Sequence, residues 1–241
     1  MIAQRLEEVR RLIAESAAAS GRNEEDITLI AVTKTHGPDV INTAIDLGVT
    51  DIGENKVQEI LEKYDKVKPV RWHLIGHLQT NKVKYIIDKV HMIHSVDSIH
   101  LMDEIERQAE LKGIRSMDIL VQVNISGEES KFGIKPEELE GFFLHCQDLN
   151  HVKIRGLMTI LPKDCDDVTE KLLFCNINEI FLDNKVKTYH NVNMECLSMG
   201  MSGDFVAAVE CGSTMVRVGS RIFGERCYVY NDKNKEPGSN N

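Results

Sequence analysis

The chain has 241 residues, 42% of them hydrophobic and 28% charged, with a formal net charge of −9. These values lie near the globular average and exclude a disordered, collagen-like or disulfide-scaffold protein, while the acidic balance speaks against a general nucleic-acid binder. The length suits one large domain or two small ones, and no apolar run reaches the ~20 residues that span a bilayer.

Ile2, Leu6, Val9, Leu12, Ile13 and Ala17 recur at helical spacing, so residues 2–19 are expected to form a helix that Gly21 ends. This stretch is charged throughout and lacks the apolar centre of a secretory signal. Six scattered cysteines (Cys146, Cys165, Cys175, Cys196, Cys211, Cys227) contain no Cys-x-x-Cys pair and read as reduced thiols of a cytoplasmic protein. Residues 27–33 are a β-branched run typical of a buried strand. Pro38 suits the first turn of a helix running to about Gly48.

The alternation then repeats. Short apolar runs at residues 51–53, 71–76, 92–96, 119–125, 154–160, 196–201 and 215–219 bring the expected strands to eight. Amphipathic stretches lie near residues 55–65, 79–88, 98–112, 136–149, 166–184 and 203–211. Strict strand–helix alternation points to a parallel sheet, and eight strands point to a single (β/α)8 TIM barrel of the α/β class. An open doubly wound sheet is the alternative. No helix of any length is expected after the eighth strand, and the extra N-terminal helix is expected to cover that gap. Residues 1–230 read as one domain, and the polar tail 231–241 reads as disordered.

The working face of such a barrel lies at the C-terminal ends of its strands. Lys34 ends the first strand, where partial desolvation would lower its pKa and ready it to attack a carbonyl. A solvated lysine is the alternative on position alone. The loops after the seventh and eighth strands, Ser198 to Asp204 and Gly219-Ser220, are rich in glycine and serine. Barrels often hold phosphate there. A lysine opposite a phosphate site implies a phosphorylated carbonyl compound. His73 and His77 are four apart but straddle a strand and a loop without an intervening glutamate, so no metal site is expected. His73 is expected inside the barrel and His77 at its mouth, while Met199, Met201 and Met215 read as packing.

Several blocks resemble the YggS/PROSC family of pyridoxal-phosphate-binding proteins, the PLP homeostasis proteins. They are Ile30-Ala-Val-Thr-Lys34-Thr, Gly53-Glu-Asn55-Lys-Val-Gln-Glu59, Trp72 to Lys82, Val121 to Gly133, Arg155-Gly-Leu-Met158, Leu197 to Ser202, and Gly212 to Gly224. The resemblance implies a barrel like the N-terminal domain of alanine racemase. It implies pyridoxal 5'-phosphate (PLP) bound as a Schiff base on Lys34, Asn55 beside the cofactor, and Arg217 facing the pyridine nitrogen. Ser198, Gly219 and Ser220 would hold the phosphate, with Ser202 able to share that role. The implied function is intracellular PLP homeostasis, by buffering or delivery to apo-enzymes, without robust catalysis. The chain holds no evident second acid/base and no room for the racemase's extra domain, and a monomer is expected. A weak amino-acid racemase and an aldolase-like Schiff-base enzyme are the alternatives. Thr33, His77 and Ser220 stand where many relatives have Ser, Pro and Thr.

Overall fold

The computed structural model describes residues 1–128, 131–163 and 165–224. The polar tail at 231–241, Cys227, Tyr228 and Tyr230 lie outside them. Eight parallel strands close into a barrel in sequence order: β1 Thr28–Val32, β2 Asp51–Glu54, β3 Arg71–Leu74, β4 Met92–Val96, β5 Met117–Gln122, β6 Val152–Met158, β7 Val192–Ser198 and β8 Met215–Val218. The ring is sealed by β1 against β8, Thr28 opposite Met215 and Ala31 opposite Val218.

Helices alternate with the strands: α1 Ile2–Ala19, α2 Pro38–Asp46, α3 Val57–Lys63, α4 Val83–Ile86, α5 Ile99–Leu111, α6 Leu139–Cys146, α7 Asp167–Lys185, α8 Phe205–Glu210 and α9 Ser220–Phe223. Local chemistry sets several boundaries. Pro38 sits at the head of α2, where its missing N–H costs nothing. Ser98 caps α5 through Leu101 N–H, and Asp166 caps α7 through the N–H groups of Val168 and Thr169. Among the described residues only the one-turn α9 follows β8, and α1 packs on α8 and α9, closing the outer ring as expected.

The strand alternation divides the apolar residues between two cores. Most fill the layer between strands and helices. A smaller cluster of Ile30, Met92, Leu120, Met158 and Met215 fills the barrel interior. Gly53 makes room for it: a Cβ there would lie 2.9 Å from Ile30 Cγ2. The expected β7 began four residues late. Val192 and Met194 are buried while Asn193 and Glu195 are exposed, an alternation that hides the strand from a search for continuous apolar runs. Met199 and Met215 are packed as expected, but Met201 is exposed at the barrel mouth. No helix among the described residues is long and apolar enough to cross a membrane.

Candidate functional site

The C-terminal ends of the strands surround a cavity of about 590 Å3. Lys34, Asn55, Arg217, Gly219 and Ser220 all line it, together with His36, His77, Phe132, Lys163 and Ser202. Five of the six sequence-derived site residues therefore converge on one space. Ser198 stands apart. It is fully buried, and its hydroxyl is committed to Arg217 Nη1 at 2.6 Å and His94 Nδ1 at 3.0 Å. Its place is beneath Arg217 rather than on the cavity wall, where the expected phosphate contact would lie. Ser202 takes the rim position instead.

Lys34 is held by its neighbours. Thr33 is fully buried and donates from Oγ1 to Glu54 Oε1 at 2.7 Å. Thr35 adopts a left-handed backbone with φ 69°, a strained conformation for a β-branched residue. Its N–H donates to Glu59 Oε2 at 2.7 Å. Lys63 ties these acceptors together, with Nζ donating to Thr33 O at 3.1 Å, Glu54 Oε1 at 2.8 Å and Glu59 Oε2 at 2.7 Å. Burial pushes the Glu54 carboxyl up, against the pull of Lys63 and Thr33. For Glu59 burial acts the same way, but Lys63 and Thr35 N–H outweigh it and lower the carboxyl.

Asn55 is placed by a backbone contact. Gly76, which follows β3, lies so close that a Cβ would come 2.4 Å from Asn55 O. On the opposite rim, Ser202 Oγ accepts from Gly219 N–H at 3.0 Å, which clamps the β7 and β8 loops together. Asp204 accepts from Met201 N–H, and Arg221 Nε donates to Ser202 O at 2.7 Å. The Gly219 N–H is thus engaged. An anion at this rim would draw on the Ser202 and Ser220 hydroxyls and on backbone N–H groups that a helix start leaves without carbonyl partners.

Arg217 forms the cavity floor. It is 3% exposed, and Nη2 donates to Thr159 O at 2.8 Å. Burial lowers its pKa to about 10, with Asp204 opposing, so the guanidinium stays charged at neutral pH and can only donate. Below Ser198 the polar chain continues through His94 and His73 to Asp51. His94 Nε2 is 2.9 Å from His73 Nδ1, and His73 Nε2 is 2.9 Å from Asp51 Oδ1. Arg71 grips Asp51 with bonds of 2.8 and 2.6 Å. His94 is kept neutral chiefly by burial and also by the positive charge of the Arg217 guanidinium. Burial would raise the Asp51 carboxyl, but His73, Arg71 and Thr50 hold it well below the usual range.

At the outer lip His77 stacks on Phe132, with centroids 4.1 Å apart and planes 16° apart. The sequence reading placed His73 and His77 correctly. It missed His94, Glu54 and Lys63, although strand parity gives a signal for His94: Met92 and His94 are two apart, so both face inward. Cys196 and Cys211 are poor nucleophiles, since burial raises their thiols to about 11 and about 12.

The fold and these side chains define a class, a parallel eight-stranded barrel with a lysine at the mouth of β1 and a buried arginine on β8. The alanine racemase N-terminal domain family matches residues 6–227. A pyridoxal phosphate homeostasis protein of Aquifex aeolicus is 42% identical over 229 residues, covering 93% of this chain and 98% of that protein. Among solved structures, PipY of Synechococcus elongatus with PLP bound superposes with a TM-score of 0.82 at 32% identity, covering 93% of this chain and 100% of that one. A protein of unknown function from Bifidobacterium adolescentis superposes with a TM-score of 0.86 at 33% identity, covering 92% and 94%. The chain belongs to the family of pyridoxal phosphate homeostasis proteins.

Proposed function

We propose that this protein binds pyridoxal 5'-phosphate as a Schiff base on Lys34 and serves PLP homeostasis, buffering the cofactor or delivering it to apo-enzymes as a cytoplasmic monomer. The observation that carries the reading is the convergence of Lys34, Arg217 and the Ser202–Ser220 rim on one cavity. The fit is chemical. An amine meets the aldehyde, a donor-only guanidinium meets the ring nitrogen, and a rim of hydroxyls and helix-start N–H groups meets the phosphate. The cavity volume of about 590 Å3 lies within the usual range for small-molecule sites. Bound PLP supplies an electrophilic carbonyl and an electron sink.

The chain's own residues favour holding over turnover. Arg217 has no proton to give the ring nitrogen at neutral pH, which keeps the sink weak. Racemisation needs a second acid/base across the substrate, and among the described residues no tyrosine lines the cavity. Tyr64 packs near Trp72 and Tyr189 near Phe143, both away from the mouth.

The test is an absorbance spectrum of purified protein supplied with PLP, before and after borohydride, beside Lys34→Ala. A visible band that borohydride removes and the variant lacks is expected. Transfer of the bound cofactor to an apo-enzyme should then restore that enzyme's activity, while alanine racemisation stays at background. A protein that PLP cannot colour would overturn the binding reading. Sustained racemisation would overturn the non-catalytic one.

A further inference from the structure

The buried chain from Arg217 to Asp51 allows its hydrogens to be assigned. An arginine guanidinium only donates and a carboxylate only accepts. The links between them are Ser198, His94 and His73, all at most 1% exposed. With one proton on each imidazole, every bond is satisfied in one direction. Arg217 Nη1–H donates to Ser198 Oγ, Ser198 O–H to His94 Nδ1, His94 Nε2–H to His73 Nδ1, and His73 Nε2–H to Asp51 Oδ1. If His73 instead carried two protons, His94 would have to accept from it and donate to Ser198. The Ser198 O–H would then face no acceptor in this chain of contacts, a costly state for a buried hydroxyl.

We infer that Asp51, His73, His94 and Ser198 form a one-way hydrogen-bond relay that positions Arg217 as a fixed donor toward the ring nitrogen of bound PLP. The anchoring carboxylate lies four hydrogen bonds away from Arg217, at the start of β2. Arg71 and Thr50 fix that carboxylate from the outside. Consecutive polarised bonds strengthen one another in a low-dielectric interior. Each link also has a single satisfying orientation, so a break anywhere releases Arg217 from Ser198 or reverses the Ser198 hydroxyl. The inference rests on the proposed PLP site, and His94 and Ser198 are positioning residues within it rather than groups that touch the ligand.

Two measurements test it. In the protein without PLP, histidine-labelled nitrogen NMR should find both His73 and His94 as neutral Nε2–H tautomers at pH 7.5. An Nδ1–H tautomer at either ring, or a doubly protonated His73, overturns the relay whether or not PLP binds. The second uses PLP carrying 15N in its ring. His94→Phe keeps a ring of similar shape but neither polar atom, and it should weaken PLP binding about tenfold, the equivalent of one lost hydrogen bond, and move the ring-nitrogen resonance. His94→Gln retains one acceptor and one donor and should restore both toward wild type. Circular dichroism and the melting temperature establish that each variant is folded. A wild type that takes up PLP, with a folded His94→Phe whose affinity and ring-nitrogen shift are unchanged, refutes the relay and leaves the PLP reading intact. A wild type that takes up no PLP refutes the PLP reading, and the tautomers still judge the hydrogen-bond arrangement.

Discussion

Lys63→Met isolates the cluster behind Lys34. Lys63 is 7% exposed, and its ammonium is the cation that compensates the fully buried Glu54. Glu54 is poorly supplied even in the native protein, because its Oε2 has no hydrogen-bond partner among the described residues. Methionine matches the stem of lysine but removes three donated bonds, so the Glu54 charge would be left with Thr33 alone. Breaking a buried ion pair by removing one partner costs about 3–5 kcal/mol. At about 2–4 °C per kcal/mol for a chain of this size, the melting temperature should fall by roughly 6–20 °C. The sign of the pH dependence follows from Glu54. Its carboxyl is already raised by burial, so ionising it opposes folding, and the penalty is absent below the unfolded carboxyl value of about 4.3 and grows as pH rises through the folded one. Loss of Lys63 raises that folded value further. The deficit of Lys63→Met against wild type should therefore be smaller at pH 5 than at pH 8, with the Glu59 pair contributing at both. Urea denaturation at both pH values measures it. Lys63→Met combined with Glu54→Gln should recover most of the loss at pH 8, because the buried charge is gone. A deficit below about 1 kcal/mol at pH 8, or one that does not shrink in acid, would show that Glu54 is not held as this ion pair.

Gly76→Ala places a methyl 2.4 Å from Asn55 O and 2.8 Å from Asn55 Cα. Both neighbours are backbone, so the chain must shift, at about 1–3 kcal/mol. PLP binding should weaken with it, as a titration followed by absorbance would show, and unchanged affinity would remove Asn55 from the site. Cys175 and Cys211 bring their sulfurs to 2.9 Å across α7 and α8. Oxidised glutathione, accepting two electrons as both thiols lose their protons, should close a disulfide there that dithiothreitol reopens. Closing that loop should stabilise the protein by about 4 kcal/mol, and an intact mass identical to that of the untreated protein would refute the pairing.

The barrel was legible because eight apolar runs alternate with amphipathic ones, and period and order suffice to define that topology. Lys34, Arg217 and the Gly/Ser rim were legible because they sit at strand ends or in family blocks. What the sequence hid shares one cause. Ser198 lies in a loop-like serine-glycine stretch, yet it is the last residue of β7 and points inward to Arg217. His94 falls near His91 and His100 in sequence, and nothing local sets it apart from them. Pairing of β3 with β4 brings it to His73, and closure of the barrel brings it to Ser198, 104 residues further on. Pairings at such separations depend on barrel closure and side-chain parity together, and no local window contains them.

The two buried polar assemblies divide the work of the site. One lies outside the barrel wall, between β2 and α3, and fixes the backbone on both sides of Lys34. The other lies inside and fixes the guanidinium of Arg217. Neither is an efficient way to stabilise a fold, since apolar residues of similar volume would often serve as well. Glu54 Oε2 lacks a partner among the described residues, and Thr35 keeps a left-handed φ of 69°. Such costs persist where geometry is held for a ligand. Here they fall on the residues flanking the two groups that would meet the aldehyde and the ring nitrogen. The rim proposed for the phosphate, by contrast, is built from backbone, glycine and serine, with Gly203, Ser220 and Met201 open to solvent. On the proposed reading, an amine and a braced guanidinium beneath an open rim would hold the reactive end of the cofactor and leave its phosphate accessible, as release to another protein would require.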